Sequence, residues 1–276
     1  MDDTTLRKIQ LTQLEIAKEI KRVCEENHIQ YFLVGGTLIG AIRHKGFIPW
    51  DDDLDFGMHR REYERFISIA PVKLNKKYFL QTWHTDEEYG YAFAKVRKIG
   101  TIFVEANDSS EKKHQEVYVD VFPYDNLPEK DIGKKRHIKR IRHYRELMRM
   151  VNKMTVWRRQ PTTIRRILKW VTCLPNIIES RFVDRKKMIK KYEVEMNRYN
   201  DSETELIAQE SGGVPFGKYP VRAEYIKQKV MLPFEDDEFA CPFNYDAFLR
   251  DIYGDYLKLP PLEKQKCTHQ IISLKL

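Results

Sequence analysis

Residues 51–55 place four aspartates within five positions, Asp51-Asp52-Asp53-Leu54-Asp55, and Ile48, Trp50 and Phe56 bracket the run. Like charges this close repel one another, and each resists losing its hydration. The apolar neighbours demand burial all the same, so a fold that accepts the run must bring a cation to it. A solvated acidic turn is the competing reading, and Trp50, Leu54 and Phe56 argue against it. In an extended chain alternate side chains share a face, which would set Asp51, Asp53 and Asp55 together and turn Asp52 and Leu54 away. Three carboxylates on one face suit Mg²⁺ or Mn²⁺, ions that keep some of their water and bridge to phosphate oxygens. The spacing lacks the central glycine and distal glutamate of a calcium loop.

The segments around the run extend this chemistry. Ile29 to Val34 reads as a buried strand stopped by Gly35-Gly36, with a short helix from Thr37 to His44. Glycines at such a turn let backbone approach a ligand, and the helix start offers N–H groups to phosphate oxygens. Gly35, Gly36 and Thr37 are therefore expected at an anionic substrate. Asp120 sits inside the apolar strand Val117 to Phe122, where a lone acid needs a partner. Beside the Asp53 to Met58 strand it would complete a metal site or take a proton from an attacking hydroxyl; an ion pair at a strand edge is the alternative. Arg43 and His44, and Lys95 and Arg97 on one face of the strand Ala92 to Ile99, are candidates for phosphate contact, with solvated charge open for each. Trp50, Trp83, Tyr89, Tyr91 and Phe93 could face a quaternary ammonium, against ordinary core packing.

Over 276 residues, 42% hydrophobic and 33% charged content supports a packed core and speaks against disorder. The opening residues MDDTTLRKIQ do not resemble a secretory signal, and no run approaches the ~18 apolar residues a membrane span needs. Four scattered cysteines are expected to be thiols in a reducing compartment, so a cytoplasmic chain is expected. Helices at 4–27, 60–70 and 245–253, with strands at 78–83, 101–105, 229–232 and 238–240 beside those above, predict an α+β (mixed α/β) fold. Three regions are expected: a catalytic sheet core over 1–128, a basic helical insertion over 129–205, and a C-terminal segment over 206–276 that completes the core.

Net charge is +8 and uneven. Between Lys130 and Lys191 about twenty Lys and Arg face only Asp131, Glu146, Glu179 and Asp184. Within it, Ile164, Ile167, Leu168, Val171, Leu174 and Ile178 form an apolar stripe beside Arg165, Arg166 and Lys169. Such a stripe can lie in an anionic membrane interface or pack on the sheet domain. Nucleic acid is not expected, because no recognition motif accompanies the charge.

The whole run from Gly35 through Arg43-His44-Lys45-Gly46-Phe47-Ile48-Pro49-Trp50 to Asp55 resembles the signature of the LicD family. The resemblance continues at Tyr89-Gly90, Ala94 to Arg97, Val119 to Pro123, Phe239 to Pro242 and Tyr253 to Pro261. It implies a nucleotidyltransferase-like core with metal ligands at Asp51, Asp53, Asp55 and Asp120, the last three of them catalytic. It also implies transfer of phosphocholine from CDP-choline to a sugar hydroxyl of a lipid-linked cell-envelope glycan, a teichoic-acid or lipopolysaccharide precursor, with release of CMP. A peripheral position at the inner face of the cell membrane would fit such an acceptor. Transfer of another CDP-linked alcohol phosphate, nucleotidyl transfer on the same metal site, and a non-catalytic anion-binding adaptor are the other readings.

Overall fold

The computed structural model describes residues 2–105, 114–152, 162–211, 214–267 and 271–276. Asp2 caps helix α1 (Asp3–Glu26) by accepting from the Thr5 amide at 2.9 Å, and Leu6, Ile9, Ile16, Ile20 and Val23 bury its apolar stripe. The expected strand at 29–34 shortens to β1 (Phe32–Leu33), and α2 (Gly35–Arg43) begins earlier than the glycine pair suggests, with Val34 as its cap residue. After a turn and an extended stretch come β2 (Asp55–His59), α3 (Arg60–Lys73), β3 (Tyr78–Gln81), β4 (Ala94–Lys98), β5 (Ile102–Glu105) and β6 (Tyr118–Asn126). Three helices follow, α4 (Asp131–Val151), α5 (Thr163–Ser180) and α6 (Arg185–Asn197). Strands β7 (Leu206–Gln209) and β8 (Val221–Arg222), the hairpin β9 (Lys229–Phe234) and β10 (Asp237–Pro242), helix α7 (Tyr245–Tyr253) and β11 (Ile271–Lys275) complete the order.

The main sheet runs β1-β2-β6-β4-β3, with β7 and β8 joined through β6. Strands β2 and β6 are parallel, and the other pairs in this sheet are antiparallel. Sheet and flanking helices make the α+β fold that the sequence predicts. Strand β6 outruns its expected end at Phe122 and passes through Pro123. One edge of β6 pairs with β4 as far as Val121 and with β7 from Tyr124, so the proline, which has no N–H to donate, falls where that edge changes neighbour. Strands β7, β8 and β11 span only four, two and five residues, too short for periodicity to reveal them. β5 leaves the main sheet to pair with β11.

The main core gathers α1, the sheet, the hairpin and α7. A second core, with Trp83, Ile141, Met148, Met188, Tyr192 and Phe216, joins α4 and α6 to this body. Between sheet and helices Arg60 makes a two-pronged bond to Asp125 at 2.7 Å for each prong, with both side chains buried.

Candidate active site

The acidic run enters the sheet at its last aspartate. Asp55 opens β2, and its backbone is fixed from both sides: its N–H donates to Thr37 Oγ1 at 2.9 Å and its carbonyl accepts from the Val34 amide at 3.2 Å. Residues 51–54 precede the strand, yet burial alternates through them as expected, with Asp51, Asp53 and Asp55 partly exposed and Asp52 and Leu54 buried. Asp51, Asp52 and Asp53 also each bring one carboxylate oxygen within 4.8 Å of the others. Asp52, expected to turn away, is part of this group and buried. The backbone of the loop is clamped by two buried glutamines of α1, a feature periodicity hides. Gln10 Nε2 donates to the Asp51 carbonyl at 2.8 Å and Gln13 Nε2 to the Asp52 carbonyl at 2.6 Å.

Asp55, Asp120 and Lys95 form a row across three neighbouring strands: Asp55 is opposite Asp120 in the β2–β6 register, and Lys95 is opposite Asp120 in the β4–β6 register. Lys95 Nζ reaches Asp120 Oδ1 at 2.7 Å, so the ion-pair reading of Asp120 and its place beside the acidic run are both realised. Burial, then Asp53, Asp120 and Asp51, push the Asp55 carboxyl well above the usual carboxylate range. Burial also raises Asp120, against the opposing pull of Lys95. Negative charge has thus been packed where a cation would stabilise it.

These groups line a cleft of 440 Å³. Asp53, Asp55, Asp120, Lys95 and Arg97 share its lining with the rings of Tyr91, Phe93, Tyr118 and Tyr124. Val214, Pro215, Gly217, Lys218, Tyr219 and Tyr253 bring the C-terminal part of the chain to the same space. The Tyr253 hydroxyl is pushed up to about 12 by burial, Asp55 and Asp51. The family resemblance runs through Tyr253 to Pro261 without giving this hydroxyl a role.

Gly35 lines the cleft, and both glycines also serve the carboxylates. A Cβ on Gly35 would lie 2.9 Å from Asp55 Oδ2, and one on Gly36 would overlap Asp51 Oδ2. Their missing side chains make room for carboxylates at the start of α2, where unpaired N–H groups favour negative charge. Gly35, at φ +60°, also needs the left-handed backbone that glycine adopts without strain.

The sequence of this chain matches the LicD/FKTN/FKRP nucleotidyltransferase domain over residues 28–164. The lipopolysaccharide cholinephosphotransferase LicD of Haemophilus influenzae is 31% identical over 270 residues, 98% of this chain and 97% of that protein. The chain belongs to the LicD family. Human ribitol 5-phosphate transferase FKRP is 44% identical over 45 residues, 16% of this chain and 9% of that protein. An uncharacterized protein of Rickettsia prowazekii is 29% identical over 120 residues, 43% of this chain and 41% of its own length.

The remaining site candidates of this LicD-family chain divide by position. Arg97 lines the cleft but is held by Gln81 Oε1 at 2.6 Å and by the Glu116 carbonyl, with its guanidinium over the Tyr118 ring. Arg43 donates to His44 Nε2 at 3.0 Å and to the Tyr256 carbonyl at 3.1 Å, and the His44 ring meets Trp50 edge-on. Those three stand together outside the lining of the cleft, as does Thr37, whose side chain is used on the Asp55 amide. Of the aromatic candidates, Tyr91 and Phe93 face the cleft. Trp83 instead donates to Glu193 at 3.1 Å and packs on Tyr192, and Tyr89 is buried. The thiols of Cys24, Cys173 and Cys241 are free and buried, as expected.

Proposed function

We propose that this LicD-family chain transfers phosphocholine from CDP-choline to a sugar hydroxyl of a cell-envelope glycan and releases CMP. The observation that carries the reading is the near full-length likeness to the Haemophilus influenzae cholinephosphotransferase, together with the Asp53–Asp55–Asp120 cleft. We assign Asp51, Asp53, Asp55 and Asp120 to hold Mg²⁺ or Mn²⁺: oxygens of Asp51 and Asp53 converge, together with Asp52, within 4.8 Å, and Asp55 stands in register with Asp120, a donor set that suits a hard divalent ion. Such an ion would neutralise the diphosphate of the donor and the charge on the departing CMP.

The chain's own groups do the rest. Arg97 and Lys95 add positive charge on the wall where the diphosphate lies. The faces of Tyr91 and Phe93 receive the quaternary ammonium, each worth roughly 0.5–2 kcal/mol. Asp120, its proton affinity raised by burial, takes the proton from the acceptor hydroxyl as that oxygen attacks the phosphorus bearing choline. The P–O bond to CMP breaks, and CMP keeps the bonding electron pair. We assign the reaction to the cytoplasm, in keeping with three buried thiols, and the acceptor to the class of lipid-linked glycan precursors.

The test is incubation with choline-labelled CDP-choline, Mg²⁺ and a lipopolysaccharide or teichoic-acid precursor. Equal amounts of CMP and labelled glycan are expected. Release of phosphocholine with the nucleotide left on the glycan would establish nucleotidyl transfer instead. One observation favours a second alcohol, the 45-residue likeness to the ribitol 5-phosphate transferase, so CDP-ribitol belongs in the same assay.

A further inference from the structure

Helix α5 is oriented against the usual rule for amphipathic helices. Its capping residue Thr162 accepts from the Arg165 amide, and the helix runs for 18 residues, yet only Cys173 is buried. That residue rests on Met150 of α4 with Ile177 beside it, a small contact separate from both larger cores. Ile164, Ile167, Leu168, Val171 and Ile178 recur at helical spacing on the opposite side, and all are exposed, Ile164 to 72%. Phe182, just past the helix, is 85% exposed. Packing on the sheet domain, one of the two readings the sequence left open, is therefore not what this stripe does.

Water is a costly neighbour for such a stripe, and what surrounds it indicates what covers it. Arg165, Arg166 and Lys169 lie on the polar side of α5, the side that holds Cys173, and Arg181 follows the helix. The neighbouring helices present Lys135, Arg136, Lys139, Lys187 and Lys190 to solvent. A second copy of the chain would bring the same positive surplus against itself. Nucleic acid would match the cations and leave the apolar row unmatched. A bilayer with anionic headgroups matches both, because its acyl region takes the apolar row while its headgroups take the cations. No helix among the described residues is long and apolar enough to cross a membrane, so α5 lies along the surface.

We propose that the outward face of α5, centred on Ile164, Ile167, Leu168, Val171 and Ile178, inserts into the surface of an anionic lipid membrane. The helix is about 27 Å long at 1.5 Å per residue and would lie in the plane of the interface. Its carrier connects it to the cleft. Arg142 and Arg145 of α4 donate to the Phe216 and Val214 carbonyls at 3.0 Å each, so α4 supports the cleft wall on one side and α5 on the other. A membrane-held α5 thus stands one helix away from the cleft, within reach of an acceptor carried on a lipid.

The test uses the full chain and sedimentation with vesicles of phosphatidylcholine alone or mixed with phosphatidylglycerol. Binding is expected only with the anionic lipid and should weaken as salt rises. The double variant Ile167→Ser/Val171→Ser should lose binding by about tenfold or more with unchanged circular dichroism, since both side chains are already in solvent. Arg165→Glu/Arg166→Glu should lose a similar factor at low salt. No binding to phosphatidylglycerol vesicles, or binding that ignores the apolar double variant, would overturn the proposal. So would a concentration-dependent dimer that the same variant abolishes, which would assign the face to a second copy. The readout needs no donor or acceptor, so its failure leaves the transfer reading standing, and failure of transfer leaves this one standing.

Discussion

The Lys95 ammonium lies 2.7 Å from Asp120 Oδ1 and 3.3 Å from the centre of the Tyr118 ring. The two charged side chains are only 7% and 14% exposed, so their attraction is little screened by water. This is the one direct cation among the described contacts of Asp120, and it stands in the same row as Asp55.

Lys95→Met keeps the bulk and removes the charge. In chelator, Asp120 is left buried beside other carboxylates, and the loss of one partner of a buried pair costs about 3 kcal/mol. Urea unfolding should show this as a lower midpoint, and saturating Mg²⁺ should restore part of it. Turnover should fall about a hundredfold, because the wall facing the diphosphate loses a charge. A metal-free midpoint equal to that of the wild type would mean that the pair contributes nothing.

The acidic loop depends on α1 through two amides. Gln13→Ala leaves the Asp52 carbonyl without its 2.6 Å donor, at a cost of about 1–3 kcal/mol for a buried acceptor. The carboxylates above it gain freedom, so kcat should fall about tenfold. Gln10→Ala, at 2.8 Å from the Asp51 carbonyl, should act in the same direction, and the double variant should lose more than either alone. Steady-state kinetics at saturating Mg²⁺ check this, and unchanged kcat in both single variants would sink it.

Much of the site is contiguous in sequence and was legible for that reason. The aspartate run, the glycine pair and Asp120 carry their own apolar surroundings, which announce burial, and the basic charge of residues 130–191 needs no fold to be seen. What escaped depends on distant partners. Gln10 and Gln13 look like polar positions at the edge of a helical stripe until the loop they clamp is in place. The period of two turns Asp52 inward, as observed, but does not show that one of its oxygens also comes within 4.8 Å of those of Asp51 and Asp53. Tyr253 reaches the cleft through the fold of the C-terminal segment. The stripe on α5 has the same sequence signature whether it faces core or solvent, so only the packing of Cys173 against α4 decided its direction.

Gly36→Ala tests the space given to Asp51. The added methyl would overlap Asp51 Oδ2, so the carboxylate is the part that must move. Alanine is otherwise favourable in a helix, so thermal stability should change little or rise slightly. Activity should drop at least tenfold, and the Mg²⁺ concentration for half-maximal rate should increase. Wild-type metal dependence in this variant would show that Asp51 does not contribute to the ion site.

Asp55 supplies a pH signature that separates the metal-free from the metal-bound protein. Its carboxyl ionises near 3.8 in an unfolded chain and well above that in the fold, where burial and then Asp53 and Asp120 oppose its charge. Between those two values the folded protein keeps a proton that the unfolded chain has released, so this group's contribution to stability falls as pH rises. Asp55→Asn removes the titration. In chelator, the melting temperature of the variant should therefore gain on the wild type as pH climbs from about 4 towards neutrality. Saturating Mg²⁺ should reverse the order at neutral pH, since the wild type alone keeps the full ligand set and is stabilised by what it binds. A difference between the two proteins that stays flat with pH in chelator would mean that Asp55 ionises in the fold as freely as in water, and the crowded carboxylates would then need no cation.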